Sequence, residues 1–234
     1  MTEVKVDLND ILSRLKIIIA NPKNAWAQIS VEKFSVAQLY KRYLFVMVAI
    51  PVVCSFIGMT LFGIGGFYRP PFFQSLVGSV VQYIVGLAIA YIAAFVISKV
   101  AGMLDASPSI DDSLKLVTFA AFPAYAAGVF SIYPLLSVIG SLFALYSVYV
   151  FYTGVTPVLG VTEEKRIKLC LLSFIGVLVA GIVLGAISAI FQPSATSVED
   201  ILKNNQVNIE GVDTEELQKG LQMLEKAVQN QQNN

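Results

Sequence analysis

Five long apolar stretches, at residues 44–67, 73–98, 115–131, 135–156 and 169–191, constrain this chain more than any other feature. A bilayer core takes about 20 residues of helix to cross. Lipid offers the backbone no hydrogen-bond partner, so each stretch must satisfy its own amides as a helix. The pattern predicts an all-α integral membrane protein built on a five-transmembrane-helix bundle. It divides the chain into a cytoplasmic amphipathic and interfacial segment (1–42), a five-span membrane domain (43–191) and a polar, acidic extracytoplasmic tail with a short helix (192–234).

The composition narrows the chemistry. The chain is 56% hydrophobic and 14% charged, against about a quarter charged for a soluble domain. Its formal net charge is zero, so it has no global basic field for nucleic acid. Histidine is absent, which removes the usual general base near neutral pH and the commonest metal ligand. A Ser–His or Cys–His pair is therefore impossible. Cys54 and Cys170 lie in apolar context and read as packing residues. Asp105, Asp111 and Asp112 could offer oxygen ligands to a divalent ion, but helix capping and solvation explain them more simply. No phosphate loop or dinucleotide fingerprint occurs. The sequence thus assigns no catalytic, cofactor-binding or metal residue. The span cores carry no ionisable side chain, which argues against proton-coupled transport; Lys115 lies close to a span interior, but at its edge.

Basic residues collect on the cytoplasmic side of membrane spans. With five spans, one side holds twelve of the sixteen lysines and arginines, including Arg14, Lys23, Lys41, Arg42, Lys165, Arg166 and Lys168, and the other side four. This predicts a cytoplasmic N-terminus and an extracytoplasmic C-terminus in the inner (cytoplasmic) membrane. The first span reads as an uncleaved signal-anchor.

Ahead of that span, Leu8, Ile11, Leu12, Leu15, Ile18 and Ile19 recur at helical spacing, flanked by Arg14 and Lys16. Asp7 is placed to cap this helix, and Asn21-Pro22 to end it. A second short helix over 23–29 would turn Trp26 toward the headgroups. Leu12, Leu15 and Trp26 are the expected interfacial anchors. Docking on the cytoplasmic end of the bundle is the other reading of these helices, and the two are compatible. Ser35 and the Ser109/Asp112 pair have N-cap spacing for the first and third spans.

Within the spans, Gln82, Thr118 and Pro123 are the elements a polar cavity would use. Gly176, and Gly181-Ile-Val-Leu-Gly185 with its small-xxx-small spacing, predict close helix packing, within the bundle or in a homo-oligomer. Tyr146, Tyr149 and Tyr152 fit an aromatic belt. In the tail, Asp213 and Glu216 cap a narrow seam of Leu217, Leu221, Leu224 and Val228.

The order of these features resembles the Yip family, the Ypt/Rab-interacting membrane proteins, in its bacterial branch. Residues 21–29 (NPKNAWAQI) are similar to the family's proline–tryptophan segment. Residues 118–123 (TFAAFP) resemble its proline-bearing third span, and 132–134 (IYP) the turn after it. Residues 152–166 (YTGVTPVLGVTEEKR) resemble the fourth-span exit. The resemblance covers residues 10–190 and implies five membrane helices with termini on opposite sides. The eukaryotic link to Rab GTPases is not carried over, because the acidic Asp-Leu-x-Gly-Pro segment is absent. The expected function is that of a non-enzymatic multi-pass protein acting through partner binding or membrane organisation. Its expected partners are the lipid bilayer and a membrane protein or a second copy. The alternative is a small-solute or lipid transporter or channel.

Overall fold

The computed structural model describes residues 6–63, 69–133 and 136–191; the predicted tail helix and Pro134 lie outside them. Two short helices precede the spans. In α1 (Leu8–Ala20), Asp7 accepts hydrogen bonds from the amides of Asn9 and Asp10 at 2.9 and 3.3 Å, satisfying donors that a helix start leaves free. Asn21 closes α1 and caps α2 (Pro22–Ile29), accepting from the Asn24 amide at 3.1 Å. Pro22 sits in the first turn, where its missing N–H costs nothing.

Five helical segments are long and apolar enough to cross a membrane, as the sequence predicts. The first, α3 (Val36–Phe62), opens with a capping box between Ser35 and Gln38 and contains a π turn at Tyr40–Leu44. The second, α4 (Phe72–Gly102), has 31 residues, about 46 Å of helix. The third is not one helix. Behind the Ser109 cap, α5 (Ile110–Ala120) stops at Ala121, and α6 (Phe122–Ala127) continues into a 3-10 turn at Gly128–Ile132. Pro123 cannot donate into a continuous ladder. The next amide, Ala124, donates instead to Ser147 Oγ at 3.1 Å on the fourth span, α7 (Ser137–Leu159). Gly160, at φ +70°, ends α7 in the left-handed conformation that glycine tolerates. The fifth span is α8 (Glu163–Phe191).

Small residues set the close approaches. A Cβ on Gly58 would stand 2.5 Å from the Ile132 carbonyl oxygen, and one on Gly128 would stand 2.5 Å from Pro51 Cβ. The broken third span is thereby pressed against the proline-bearing part of α3. Tyr40 Oη donates to the Leu87 carbonyl at 2.7 Å and Tyr83 Oη to the Phe45 carbonyl at 3.0 Å, latching α3 to α4 in both directions.

One core runs from α1 and α2 through the bundle end nearest to them, with Ile18, Trp26, Leu39, Leu44, Leu114, Phe119, Val150 and Leu169 all buried. Toward the outside, α7 exposes Val138, Leu142 and Leu145, and α8 exposes Leu171, Phe174, Ile175, Leu178 and Ile182. Such a surface would be an aggregation hazard in water, and in lipid it is the solvated face.

Candidate functional site

The chemistry-bearing side chains gather at the end of the bundle covered by α1 and α2, here termed the platform. Arg14 is its hub. The guanidinium donates through Nε to Asp10 at 2.8 Å and through Nη1 and Nη2 to Glu32 at 3.0 and 2.9 Å. Its carbon lies 5.4–5.8 Å from the ring centroids of Phe119, Tyr43 and Phe34, within cation–π range. Tyr43 Oη donates to Asp10 at 2.6 Å. Burial opposes the charge on Arg14, but its hydrogen bonds to Glu32 and the further contributions of Tyr43 and Asp10 outweigh it and raise the pKa above its ordinary value.

Two further cations tie loops to spans. Lys115, 3% exposed, donates to the carbonyls of Ser30 and Glu32 at 3.1 and 2.9 Å and pairs with Asp112 at 3.2 Å. Lys165 pairs with Asp105 in the loop between α4 and α5. That hydrogen bond, with the attraction of the ammonium, holds the exposed Asp105 carboxyl below its usual pKa range. Asp111 accepts from the Val36 amide at 2.8 Å. The three aspartates weighed as an oxygen-ligand set therefore serve three different partners, and among the described residues no cluster of His, Cys, Asp and Glu could hold a metal.

Trp26 corrects the sequence reading. Its indole does not face headgroups; it is 1% exposed, with Nε1 donating to the Val150 carbonyl at 3.0 Å. The slot exists because residue 154 is glycine: a Cβ there would stand 2.5 Å from Trp26 Cε2. Tyr146, expected in an aromatic belt, donates to the carbonyls of Ile18 and Ile19 at 3.2 and 2.9 Å, satisfying the end of α1. Leu12 is exposed, whereas Leu15 is half-buried against the core.

Beside Trp26 lies a cavity of about 580 Å³ between α2, the end of α7 and the start of α8. Its wall includes Lys23, Tyr152, Thr156, Glu163 and Arg166. Arg166 stacks on Tyr152, 4.1 Å from the ring centroid, donates to Tyr152 Oη at 2.8 Å, and pairs with Glu163 at 2.6 Å. A second, almost wholly apolar cleft of about 570 Å³ opens between α4, α5, α7 and α8, with Ile97, Val117, Val148, Phe151, Cys170 and Phe174 in its wall.

The residues expected to line a polar cavity do not converge. Gln82 is exposed on α4, while Thr118 and Pro123 are buried. A Cβ on Gly176 would stand 2.6 Å from Val96 Cγ1 and one on Gly181 would stand 3.6 Å from Ile89 Cδ1, both on α4; Gly185 is exposed. Sequence reasoning passed over Arg14 as a hub and Gly154 as a slot. The one available signal was the i, i+4 spacing of Asp10 and Arg14, which suits an ion pair on one helix face.

The family model described as the Yip1 domain matches residues 16–185. The chain belongs to the Yip family. The matched residues run from the second half of α1 into α8, so they contain the Trp26 slot, the Lys115 tie and both cavities of this Yip-family protein. No curated protein and no solved structure matches the chain.

Proposed function

We propose that this Yip-family protein catalyses no reaction and acts by organising the bilayer around it, through an apolar wedge held rigidly at one membrane interface. The observation that carries this reading is that α1 is apolar on two sides. Ile11 and Ile18 are buried in the core, while Leu8 and Leu12, 60% and 52% exposed, and Ile19 line an outer face. A helix that only docks on protein needs one apolar stripe. An outer leucine face suits the boundary between headgroups and acyl chains. The ties through Arg14, Tyr146 and Trp26 fix that face to the spans, so that its insertion would spread one leaflet. The basic bias of this end supports a cytoplasmic platform in the inner membrane. The absence of histidine, and the engagement of Arg14, Lys115 and Lys165 in structural pairs, support a non-catalytic role.

The test uses the full chain in liposomes with a nitroxide at position 12 or at the exposed position 13, about 100° round the helix from it. The label at 12 should collide with oxygen and be shielded from a water-soluble nickel chelate, and the label at 13 the reverse. Leu8→Glu with Leu12→Glu should free the wedge, widen the proteoliposomes and leave the bundle folded. A label at 12 that is open to the chelate would refute the wedge. Shielding from both reagents would refute it too, by showing a protein covering the face.

A further inference from the structure

The platform cavity has no task in the wedge reading, and its chemistry is specific. Lys23 and Arg166 bring two positive charges to it and Glu163 one negative. Among the described residues, Lys23 has no ion-pair partner. Two polar atoms of its wall residues, Arg166 Nε and Thr156 Oγ1, are buried without a hydrogen-bond partner. An unsatisfied buried donor is costly, and a guanidinium nitrogen more so than a neutral one. Glu163 occupies the outer nitrogens of Arg166, but its own side chain is 64% exposed, so it can turn away into solvent. The site therefore offers a guanidinium fork, an ammonium and a hydroxyl around one volume, the donor set of a phosphate oxygen cluster.

The position of the cavity selects the source of that phosphate. Helix α7 runs toward the platform and α8 runs away from it. On α7, Tyr152 and Thr156 line the polar cavity, while Leu145 and Val148, one to two turns deeper, line the apolar cleft. On α8, Arg166 lines the first, and Cys170 and Phe174, one and two turns deeper, line the second. The same two helices thus carry a cationic, aromatic mouth at their ends and an oily cleft below it. A soluble phosphate would use only the upper part. We propose that this pair of cavities binds an anionic glycerophospholipid, with its phosphate between Lys23 and Arg166 and an acyl chain along the α7–α8 cleft. Binding at the platform displaces Glu163 from Arg166, so the carboxylate competes with the lipid.

Trp26 is the chain's one tryptophan and lies in the cavity wall, so its fluorescence reports occupancy. Full-length protein in a neutral detergent is titrated with phosphatidylglycerol carrying a doxyl quencher near the headgroup, and in parallel with the matching doxyl-phosphatidylcholine. Quenching should saturate, with the anionic lipid bound at least about fivefold more tightly, the scale of one surface cation acting on an anionic lipid. Unlabelled phosphatidylglycerol should reverse it. Lys23→Gln, a change at an exposed site, should weaken binding about fivefold. Glu163→Gln should strengthen it by removing the competitor, a gain that a damaged fold would not produce. Equal quenching by the two lipids, or indifference to both substitutions, would overturn the proposal. Competition by inorganic phosphate at the same concentration as the unlabelled lipid would overturn the assignment to a lipid in favour of a soluble anion.

Discussion

Trp26→Ala should release α2 from the bundle while the five spans stay folded. The indole is 1% exposed and fits a slot that Gly154 leaves open. Removing a buried tryptophan costs about 3–5 kcal/mol, most of it transfer and cavity terms. The hydrogen bond to the Val150 carbonyl adds little, because that oxygen keeps the Thr153 hydroxyl at 2.9 Å and no buried acceptor is orphaned. At about 3 kcal/mol, local undocking becomes more than 100-fold more frequent, since each 1.4 kcal/mol is a factor of ten. Amide exchange over residues 22–29, read by mass spectrometry in micelles, should accelerate by that factor while peptides of α4 and α8 are unchanged. Gly154→Ala attacks the same contact from the other side. Its Cβ would lie 2.5 Å from the indole and 2.6 Å from Leu116 Cδ1, an overpacking worth about 1–3 kcal/mol. In the Trp26→Ala background the methyl enters vacated space and Leu116 can shift, so the double variant should recover most of that cost, a coupling of about 1–2 kcal/mol. Exchange over 22–29 within about threefold of wild type, or strict additivity of the two changes, would refute the slot as the pin of α2.

Lys115→Met should destabilise the α2–α3 connection by about 2–3 kcal/mol, because it strips the charged donor from the Ser30 and Glu32 carbonyls and leaves Asp112 without its cation; faster exchange at residues 30–35 and a lower thermal midpoint in detergent would show it. At the platform loop, carboxyl carbon NMR should find Asp105 titrating below the ordinary aspartate value of about 3.9. A folded-state pKa that is depressed contributes stability above the unfolded value and loses it as pH falls through the folded one. The Asp105–Lys165 tie should therefore hold at neutral pH and open only in acid, and Lys165→Gln should move the titration upward; an Asp105 midpoint unmoved by that substitution would contradict the pairing.

Much of the local structure was legible because its causes are local. Asp7, Ser35 and Ser109 each cap the helix their spacing indicated, since a capping oxygen needs only an amide two or three residues on. The spans were legible for the same reason: hydropathy over twenty-odd residues is a property of one segment. The break in the third span was half legible. Pro123 marked the third span as proline-bearing, but where the amide of Ala124 would go depended on Ser147, which no local pattern supplies.

The platform was harder to read because its deciding contacts join distant parts of the chain. A tryptophan ahead of a span is read as a headgroup anchor on general grounds. What overrides that preference is a glycine on the fourth span that leaves indole-sized room, paired with a carbonyl 124 residues away. Polar residues misled in the opposite direction. Gln82 drew attention because it interrupts an apolar stretch, yet it is exposed on α4. A single amide on a membrane helix can be tolerated at the surface more readily than a charge. Arg166 and Lys23 were counted as orientation charges, interchangeable with any other basic residue. Their individuality comes from the shape of the cavity, from a tyrosine under the guanidinium and from donors left without partners. In a chain whose span cores lack ionisable groups, specific chemistry has to be built at the span ends, where side chains from different helices meet at the boundary of water and lipid. Charge counting sees that region only as a sum, and three-dimensional packing is what separates a topological charge from a binding one.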